Sequence, residues 1–255
     1  MKFCDFPAAN LLAGKVMVIT GAGRGMGRVL ANVAVREGAK VLVADISGDE
    51  AAAAAALGSN AVAFHLDVTS EDQIEAMFGV AVREFGRVDA SVHLAAVPGG
   101  RRGPDVSYEE FQDHARINLG GMMMSTKHAI KTMAPTGGGA IVNFSSVASL
   151  GGIAFNSTAY SAAKAGVNAM SKSYAVLHGP DNIRVNVIAP GFTLSEKNQR
   201  IPADRLPEML GKAALRRAGD PEEAAQLATF LCSDRAAFIS GVIIPVDGGW
   251  SARLA

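Results

Sequence analysis

Thr20-Gly21-Ala22-Gly23-Arg24-Gly25-Met26-Gly27 is the stretch on which the reading of the fold turns. It follows a short apolar run, Val16–Thr20, and opens a helical period, Gly25–Glu37. Glycines let the chain turn sharply and bring backbone N–H groups close to another group. The start of a helix carries the positive end of its dipole, which stabilises a phosphate. Strand, glycine turn and helix in this order suggest a dinucleotide site made by Gly21, Gly23, Arg24, Gly25, Met26 and Gly27. A tight structural turn would look the same in isolation. Asp45 adds weight, because it ends the next apolar run at the distance where such sites place an acid. Its carboxylate can accept hydrogen bonds from the ribose hydroxyls of NAD and would repel the 2′-phosphate of NADP. An ordinary polar strand end is the other reading of Asp45, and Arg24 in the turn leans toward a 2′-phosphate.

Outward from this turn, apolar runs alternate with helical periods. The predicted strands are Val16–Thr20, Val41–Asp45, Ala61–Leu66, Ala90–Ala95, Ala140–Phe144, Arg184–Ile188 and Val242–Val246. They are short and apolar on both faces, as parallel strands covered on both sides should be. The predicted helices are Gly25–Glu37, Asp49–Leu57, Glu71–Phe85, Tyr108–Met133, Ala159–Leu177 and Pro221–Leu231. Ser70 before Glu71-Asp72, and Asp220-Pro221-Glu222-Glu223, mark two helix starts. The pattern predicts a doubly wound, parallel, Rossmann-like α/β sheet in three layers, a single domain over 1–255. Residues 1–13 read as an N-terminal extension. The Pro- and charge-rich segment 190–212 reads as a flap over the site.

Composition removes other classes. The 255 residues hold 24 Lys plus Arg against 24 Asp plus Glu, a net charge of zero. That balance supplies no general field for nucleic acid or an anionic membrane. At 49% hydrophobic residues the chain is too apolar for disorder. Its 28 glycines lack the every-third-residue period of collagen. Cys4 and Cys232 make neither a disulfide framework nor a zinc spacing, so no metal is expected and a reduced, cytoplasmic setting is. No apolar run approaches the ~20 residues of a membrane span. Met1–Gly14 lacks the apolar centre of a signal peptide.

A second constellation lies further on. Tyr160 and Lys164 share one face of a helical stretch, and Ser145 and Ser146 end the fifth predicted strand at its carboxyl edge. A phenol, an ammonium and a hydroxyl would then meet beside the nucleotide. A neighbouring ammonium favours the phenolate, and lowering a phenol from its usual ~10 by ~3 units would suit it to acid/base work on an alcohol or ketone. By itself, Tyr-x-x-x-Lys is also a common helix-surface pair.

With both constellations in place, the sequence from Gly14 to Trp250 resembles the single-domain short-chain dehydrogenases/reductases. The resemblance rests on Thr20-Gly21-x-x-x-Gly25-x-Gly27, Asp67-Val68, Asn118 in Ile117-Asn118-Leu119-Gly120, Ser146, Tyr160-x-x-x-Lys164, Pro190-Gly191 and Asp247-Gly248-Gly249, in that order. It implies that Tyr160 is the general acid/base, that Lys164 tunes it and binds the nicotinamide ribose, and that Ser146 holds the substrate oxygen. Asn118 would interrupt its helix and hold a relay water. Asp45 and Ile46, Asp67 and Val68, Ala95 and Ala96, Pro190 and Gly191, and Thr193 and Ser195 would contact the cofactor, with NAD preferred. The spacing from Tyr160 selects Ser146 by resemblance, although Ser145 remains open from the residues alone.

There are departures from the pattern. His93-Leu94-Ala95-Ala96 stands where the family has Asn-Asn-Ala-Gly. His93 reads as a hydrogen-bonded core residue, and Ala96 adds a methyl near the cofactor. His65, His114, His128 and His178 read as surface or local contacts. The substrate would lie among Pro98, Ser146, Ala148, Phe155, Tyr160, Phe192 and Met209, with Gly99 and Val147 beside them. This apolar lining suits a neutral secondary alcohol or ketone. Arg101 and Arg102 read as a solvated pair. The alternatives are an NADPH-dependent 3-oxoacyl-thioester reductase and a non-enzymatic dinucleotide sensor. By resemblance the protein is expected to be a homotetramer, built through the helical stretches 108–133 and 159–177 and the last strand.

Overall fold

The computed structural model describes residues 10–153, 157–194 and 206–253. Seven strands form one parallel sheet: β1 (Val16–Thr20), β2 (Lys40–Asp45), β3 (Ala61–His65), β4 (Ala90–His93), β5 (Gly139–Phe144), β6 (Ile183–Pro190) and β7 (Ile243–Val246). Their order across the sheet is β3-β2-β1-β4-β5-β6-β7. The strand order reverses between β1 and β4, so a crevice opens at their carboxyl ends, where ligands of such sheets bind. Register carries the chemistry there: Thr20 pairs with His93 and Ala44, and His93 with Asn143.

Alternate residues along each strand feed two cores. Met17, Ile19, Val41, Val43, Val92 and Val142 pack toward α1 (Gly25–Arg36) and α8 (Pro221–Cys232). Val18, Leu42, Ala44 and Ile141 pack toward α3 (Glu71–Phe85) and α5 (Gly121–Met133). That division gives the predicted three layers, because a sheet covered on both faces must be apolar on both. The short α2 (Glu50–Ala55) turns Ala53 and Ala54 inward and leaves its neighbouring alanines to solvent. The helix starts follow the sequence signals. Ser70 caps α3 by accepting from Gln73 N, and Asp220 with Glu223 forms a reciprocal capping box on α8.

Of the boundaries that differ from the sequence reading, three bear on the site. β4 ends at His93, because the next residues pass over the glycine turn. The expected continuous helix over 108–133 is α4 (Tyr108–His114), a π-helical stretch Ala115–Gly120, and α5. A helix, α7 (Leu206–Lys212), occupies the end of the segment expected to be a flap. On either side of that segment, Thr193 bridges Gly219, and Leu215 N donates to Gly248 O at 3.0 Å. The remaining long helix is α6 (Thr158–His178), capped by Ser157.

Candidate active site

At the nucleotide end, the glycine turn is shaped by close packing. A Cβ on Gly21 would stand 2.6 Å from Ala95 N, and one on Gly27 would stand 2.0 Å from Gly21 O. Gly21 also has a φ of +74°. Gly23 faces Asp45: a Cβ there would lie 2.9 Å from Ser47 Oγ and 3.0 Å from the Asp45 side chain. Asp45 is gripped from two sides, its Oδ2 accepting from Gly23 N at 2.9 Å and its Oδ1 from Ser47 N at 2.9 Å. Each oxygen keeps acceptor capacity. Arg24 sits at the N-cap of α1, and its guanidinium lies 3.6 Å from Asp49 Oδ2.

A cavity of about 400 Å³ opens above this turn. Gly21, Arg24, Asp45, Ile46, Asp67, Val68, Ala95, Ala96, Val97 and Ile117 line it. Ile46 is 60% exposed at its rim. Asp67 accepts from Thr69 N and Thr69 Oγ1, and those bonds hold its carboxyl below the usual range. The residues fit a dinucleotide by an observation internal to the fold. The start of α1 has no side-chain cap and no acid in its first turn, whereas α3, α4, α6 and α8 are all capped by their own side chains. Its N–H groups are left for an outside anion.

At the chemical end, Ser146, Tyr160 and Lys164 meet. The Ser146 hydroxyl accepts from Ala148 N at 3.2 Å and lies near enough to the Tyr160 phenol to favour its ionised form. Ser145 is turned inward, toward Lys164 O at 3.0 Å and Ser149 Oγ at 2.9 Å. The two serines, open alternatives in the sequence, are thus separated by which face of the strand end they leave from. Lys164 is 2% exposed. Its Nζ donates to Phe144 O at 2.8 Å and stands 5.8 Å from the Tyr160 ring centroid.

The expected direction of the phenol's shift is corrected here. Burial pushes the Tyr160 phenol up, with the Ser146 hydrogen bond pulling it part of the way back. Burial pushes the Lys164 ammonium down to about 7. Desolvation disfavours the charged form of each.

Asn118 stands in the π-helical stretch, where Gly121 N reaches back to Arg116 O. The local interruption expected by resemblance is therefore present. Its side chain is fully committed: Oδ1 accepts from Val97 N at 2.8 Å, and Nδ2 donates to Val97 O at 2.9 Å and to His114 Nδ1 at 2.9 Å. Val97 lines the cavity, so Asn118 ties the nucleotide end to the chemical end.

His93 is fully buried and bonded to Ser91 Oγ at 2.8 Å and Asn143 Oδ1 at 2.7 Å, and burial pushes it down to about 4. It is a core tie, as the sequence reading expected. Two other histidines depart from that reading. His114 is buried, its ring edge-on to Tyr160 with centroids 5.9 Å apart. His128 is buried against Glu71. His65 pairs with Glu50 and His178 with Asp181.

The remaining site residues are scattered. Pro190 ends β6 opposite Val246, and a Cβ on Gly191 would meet Asp247 Cβ at 2.8 Å, so this glycine serves packing against the Asp247 turn. Thr193 is buried in its bridge to Gly219. Pro98 is exposed on the loop after β4, and Ala148 is buried beside Ser146. Phe192 lines a separate cavity of about 90 Å³ with Leu215, Arg217 and Asp247. Met209 lies half-buried on α7. Phe155 and Ser195 lie outside the described residues, as does Cys4. Sequence reasoning missed Val97, Glu110 and the buried place of His114. The four-residue spacing of Glu110, His114 and Asn118 was the available signal, since such residues share a helix face.

The fold and site together define a dinucleotide-dependent oxidoreductase, and the chain belongs to the short-chain dehydrogenase/reductase family. Residues 21–251 match a model of that family described as enoyl-(acyl carrier protein) reductase. The chain is 37% identical to the cis-4-hydroxycyclohexanecarboxylate dehydrogenase of Sinomonas cyclohexanicum, over 94% of this chain and 98% of that protein. It is 34% identical to a 3-oxoacyl-[acyl-carrier-protein] reductase of Thermotoga maritima, over 93% of this chain and 98% of that one. Among solved structures it is similar to levodione reductase, with a TM-score of 0.89 at 30% identity, covering 95% of this chain and 100% of that chain. Among the described residues, no helix is long and apolar enough to cross a membrane.

Proposed function

We propose that the protein is an NAD-preferring oxidoreductase that interconverts a secondary alcohol and its ketone, with Tyr160 as general acid/base. The observation that carries the reading is the Tyr160 ring 5.8 Å from the Nζ of a buried Lys164, with the Ser146 hydroxyl near the phenol. When bound, the nicotinamide supplies or takes up the hydride. Tyr160 takes the hydroxyl proton of an alcohol or gives one to a ketone oxygen. Ser146 holds that oxygen at the phenol. Lys164 keeps a donor near the Tyr160 ring and lies within reach of a ribose hydroxyl at the crevice. Because the Asn118 side chain is bonded to Val97 and His114, the main-chain carbonyls of the π-helical stretch are left to hold the water that relays the proton outward. The glycine turn, the start of α1 and Asp45 hold the dinucleotide, with Ile46, Asp67, Val68, Ala95 and Ala96 around it and Pro190, Gly191 and Thr193 at the far end. The substrate lies beside Ser146 and Tyr160, between Ala148 and the loop that carries Pro98.

Asp45 supports NAD, since a carboxylate fixed by two backbone N–H groups inside the cavity opposes a 2′-phosphate. Arg24, directed at Asp49, favours NADP less than its place in the sequence suggests. The Thermotoga relative keeps the 3-oxoacyl-thioester reading as the second one.

The test is an NAD-coupled screen of cyclic and acyclic secondary alcohols, run beside NADPH with an acetoacetyl thioester. Turnover of an alcohol with NAD, tighter binding of NAD than NADP, and loss of turnover in Tyr160→Phe with NAD binding kept are expected. Equal affinity for the two nucleotides would remove the Asp45 argument, and an active Tyr160→Phe would remove Tyr160 from its role. The family resemblance, with the exposed apolar faces described below, supports a homotetramer.

A further inference from the structure

On the substrate side, the loop after β4 is pinned to the helices around Tyr160 at three points. Asn118 holds Val97 by both its N–H and its C=O. Glu110 Oε1 accepts from Arg101 N at 2.7 Å. Thr158 Oγ1 accepts from Gly103 N at 3.1 Å. Of these, Glu110 does the most joining. The same Oε1 accepts from Ser157 Oγ at 3.2 Å, and Ser157 caps the first turn of α6, its Oγ 3.5 Å from Tyr160 N. His114 Nε2 stands 4.0 Å behind that oxygen, while His114 Nδ1 takes the second N–H of Asn118. Because Nδ1 accepts, the neutral ring carries its proton on Nε2, facing the carboxylate.

The loop's own sequence is fitted to this carboxylate. Gly100 has a φ of +113°, and a Cβ there would stand 2.2 Å from Glu110 Oε1 and 2.8 Å from Ser157 Oγ. Any side chain at position 100 would therefore displace the pin. Glu110, four residues before His114 and eight before Asn118, sets one row of α4 and the π-helical stretch along the site.

We propose that Glu110 is a positioning residue: through Arg101 N and Ser157 Oγ it fixes the loop after β4 against the first turn of α6, with His114 as its backing, and so sets the width of the substrate entrance over Tyr160. The inference rests on the alcohol/ketone reading only for what enters there. A loop held by a fixed, partly buried acceptor is pre-organised, so less ordering accompanies substrate binding.

The test compares the full-length wild type with Glu110→Ala, Glu110→Gln and Gly100→Ala. The readouts are KM and kcat for the best alcohol or ketone, the Kd for NAD, and amide hydrogen exchange over residues 97–106. Loss of the acceptor in Glu110→Ala should raise KM about tenfold, as one hydrogen bond of its strength allows, with a smaller change in kcat. The NAD Kd should stay within about twofold, because neither Arg101 nor Ser157, the residues Glu110 holds, lines the nucleotide cavity, and exchange at the Arg101 amide should rise about tenfold. Glu110→Gln keeps an oxygen acceptor and should restore most of both effects. Gly100→Ala, in an exposed loop, should reproduce the Glu110→Ala pattern even where that variant folds poorly. Unchanged KM and exchange in Glu110→Ala and Gly100→Ala, a glutamine as impaired as the alanine, or NAD affinity falling in parallel with KM would each overturn the proposal. A wild type that turns over no alcohol or ketone defeats the functional reading instead. The exchange data then still decide the pin, which survives only if protection at Arg101 is lost in alanine and kept in glutamine.

Discussion

Lys164 is the residue in which stability and chemistry pull against each other. Its ammonium is 2% exposed, bonds to one carbonyl oxygen, and is held down to about 7 by burial. Between about 10.5 and about 7 the unfolded chain binds a proton that the folded chain refuses. Stability is therefore lost as pH falls through that window and levels off below it. At 1.36 kcal/mol per unit, the cost approaches ~5 kcal/mol at neutral pH. Lys164→Met, of similar length and without charge, is expected to raise the Tm, and by more at about pH 7 than at about pH 10, while abolishing turnover. Thermal melts at the two pH values check the sign; a lower Tm at neutral pH would show that the Phe144 bond outweighs desolvation. Sequence spacing placed Lys164 next to Tyr160. It carried no information on burial, which reversed the expected shift of the phenol.

At the scale of elements, the strands and helices around β4 are joined by polar groups the sequence left scattered. His93 on β4 bonds to Asn143 on β5, with Thr126 of α5 at 3.4 Å, and Asn143 donates to Ser171 of α6 at 3.0 Å. Four elements thus share one buried network, in which an unpaired member is costly. Burial holds His93 down to about 4 against an ordinary 6.5. As pH falls below 6.5 the unfolded chain charges first, so stability is lost between about 6.5 and about 4, by up to ~3 kcal/mol. His93→Asn, which cannot charge, should flatten that part of the curve when denaturant midpoints are measured across the window. An unaltered slope would move the acid sensitivity to other groups. His93 as a core tie was legible because it replaces an asparagine of the resembled pattern. The interruption at Asn118 was legible by resemblance; the burial of His114 and the reach of Glu110 were not, since a helical period over 108–133 does not show which face meets the loop after β4.

Across the whole molecule, apolar surface is left over. On α6, Ala162, Ala165, Ala169, Ser173, Val176 and Leu177 face solvent, with Val176 79% exposed. On the neighbouring helices Tyr108, Phe111 and Met123 are exposed, and near β7 so are Phe238 and Val242. Small residues along α6 allow close approach of another helix. Ala163 and Gly166 are used within the monomer instead, the latter against Leu119. Sedimentation is expected to give the mass of four chains, and a single-chain mass would remove the assembly proposal. Charged replacement of Val176 should lower the assembled fraction without altering the fold.

The sequence by itself determined the order of strands and helices, the place of the glycine turn and of Asp45, and the helix face that Tyr160 and Lys164 share. Those follow from periodicity and local spacing, which act between near neighbours in the chain. Only the tertiary structure decided between Ser145 and Ser146, set the direction in which Tyr160 and Lys164 shift, and joined Glu110, His114 and Asn118 to the loop after β4. These depend on burial and on contacts between distant segments. The free energy of a charge or a hydrogen bond is fixed by what surrounds it in space, and a one-dimensional pattern does not carry that.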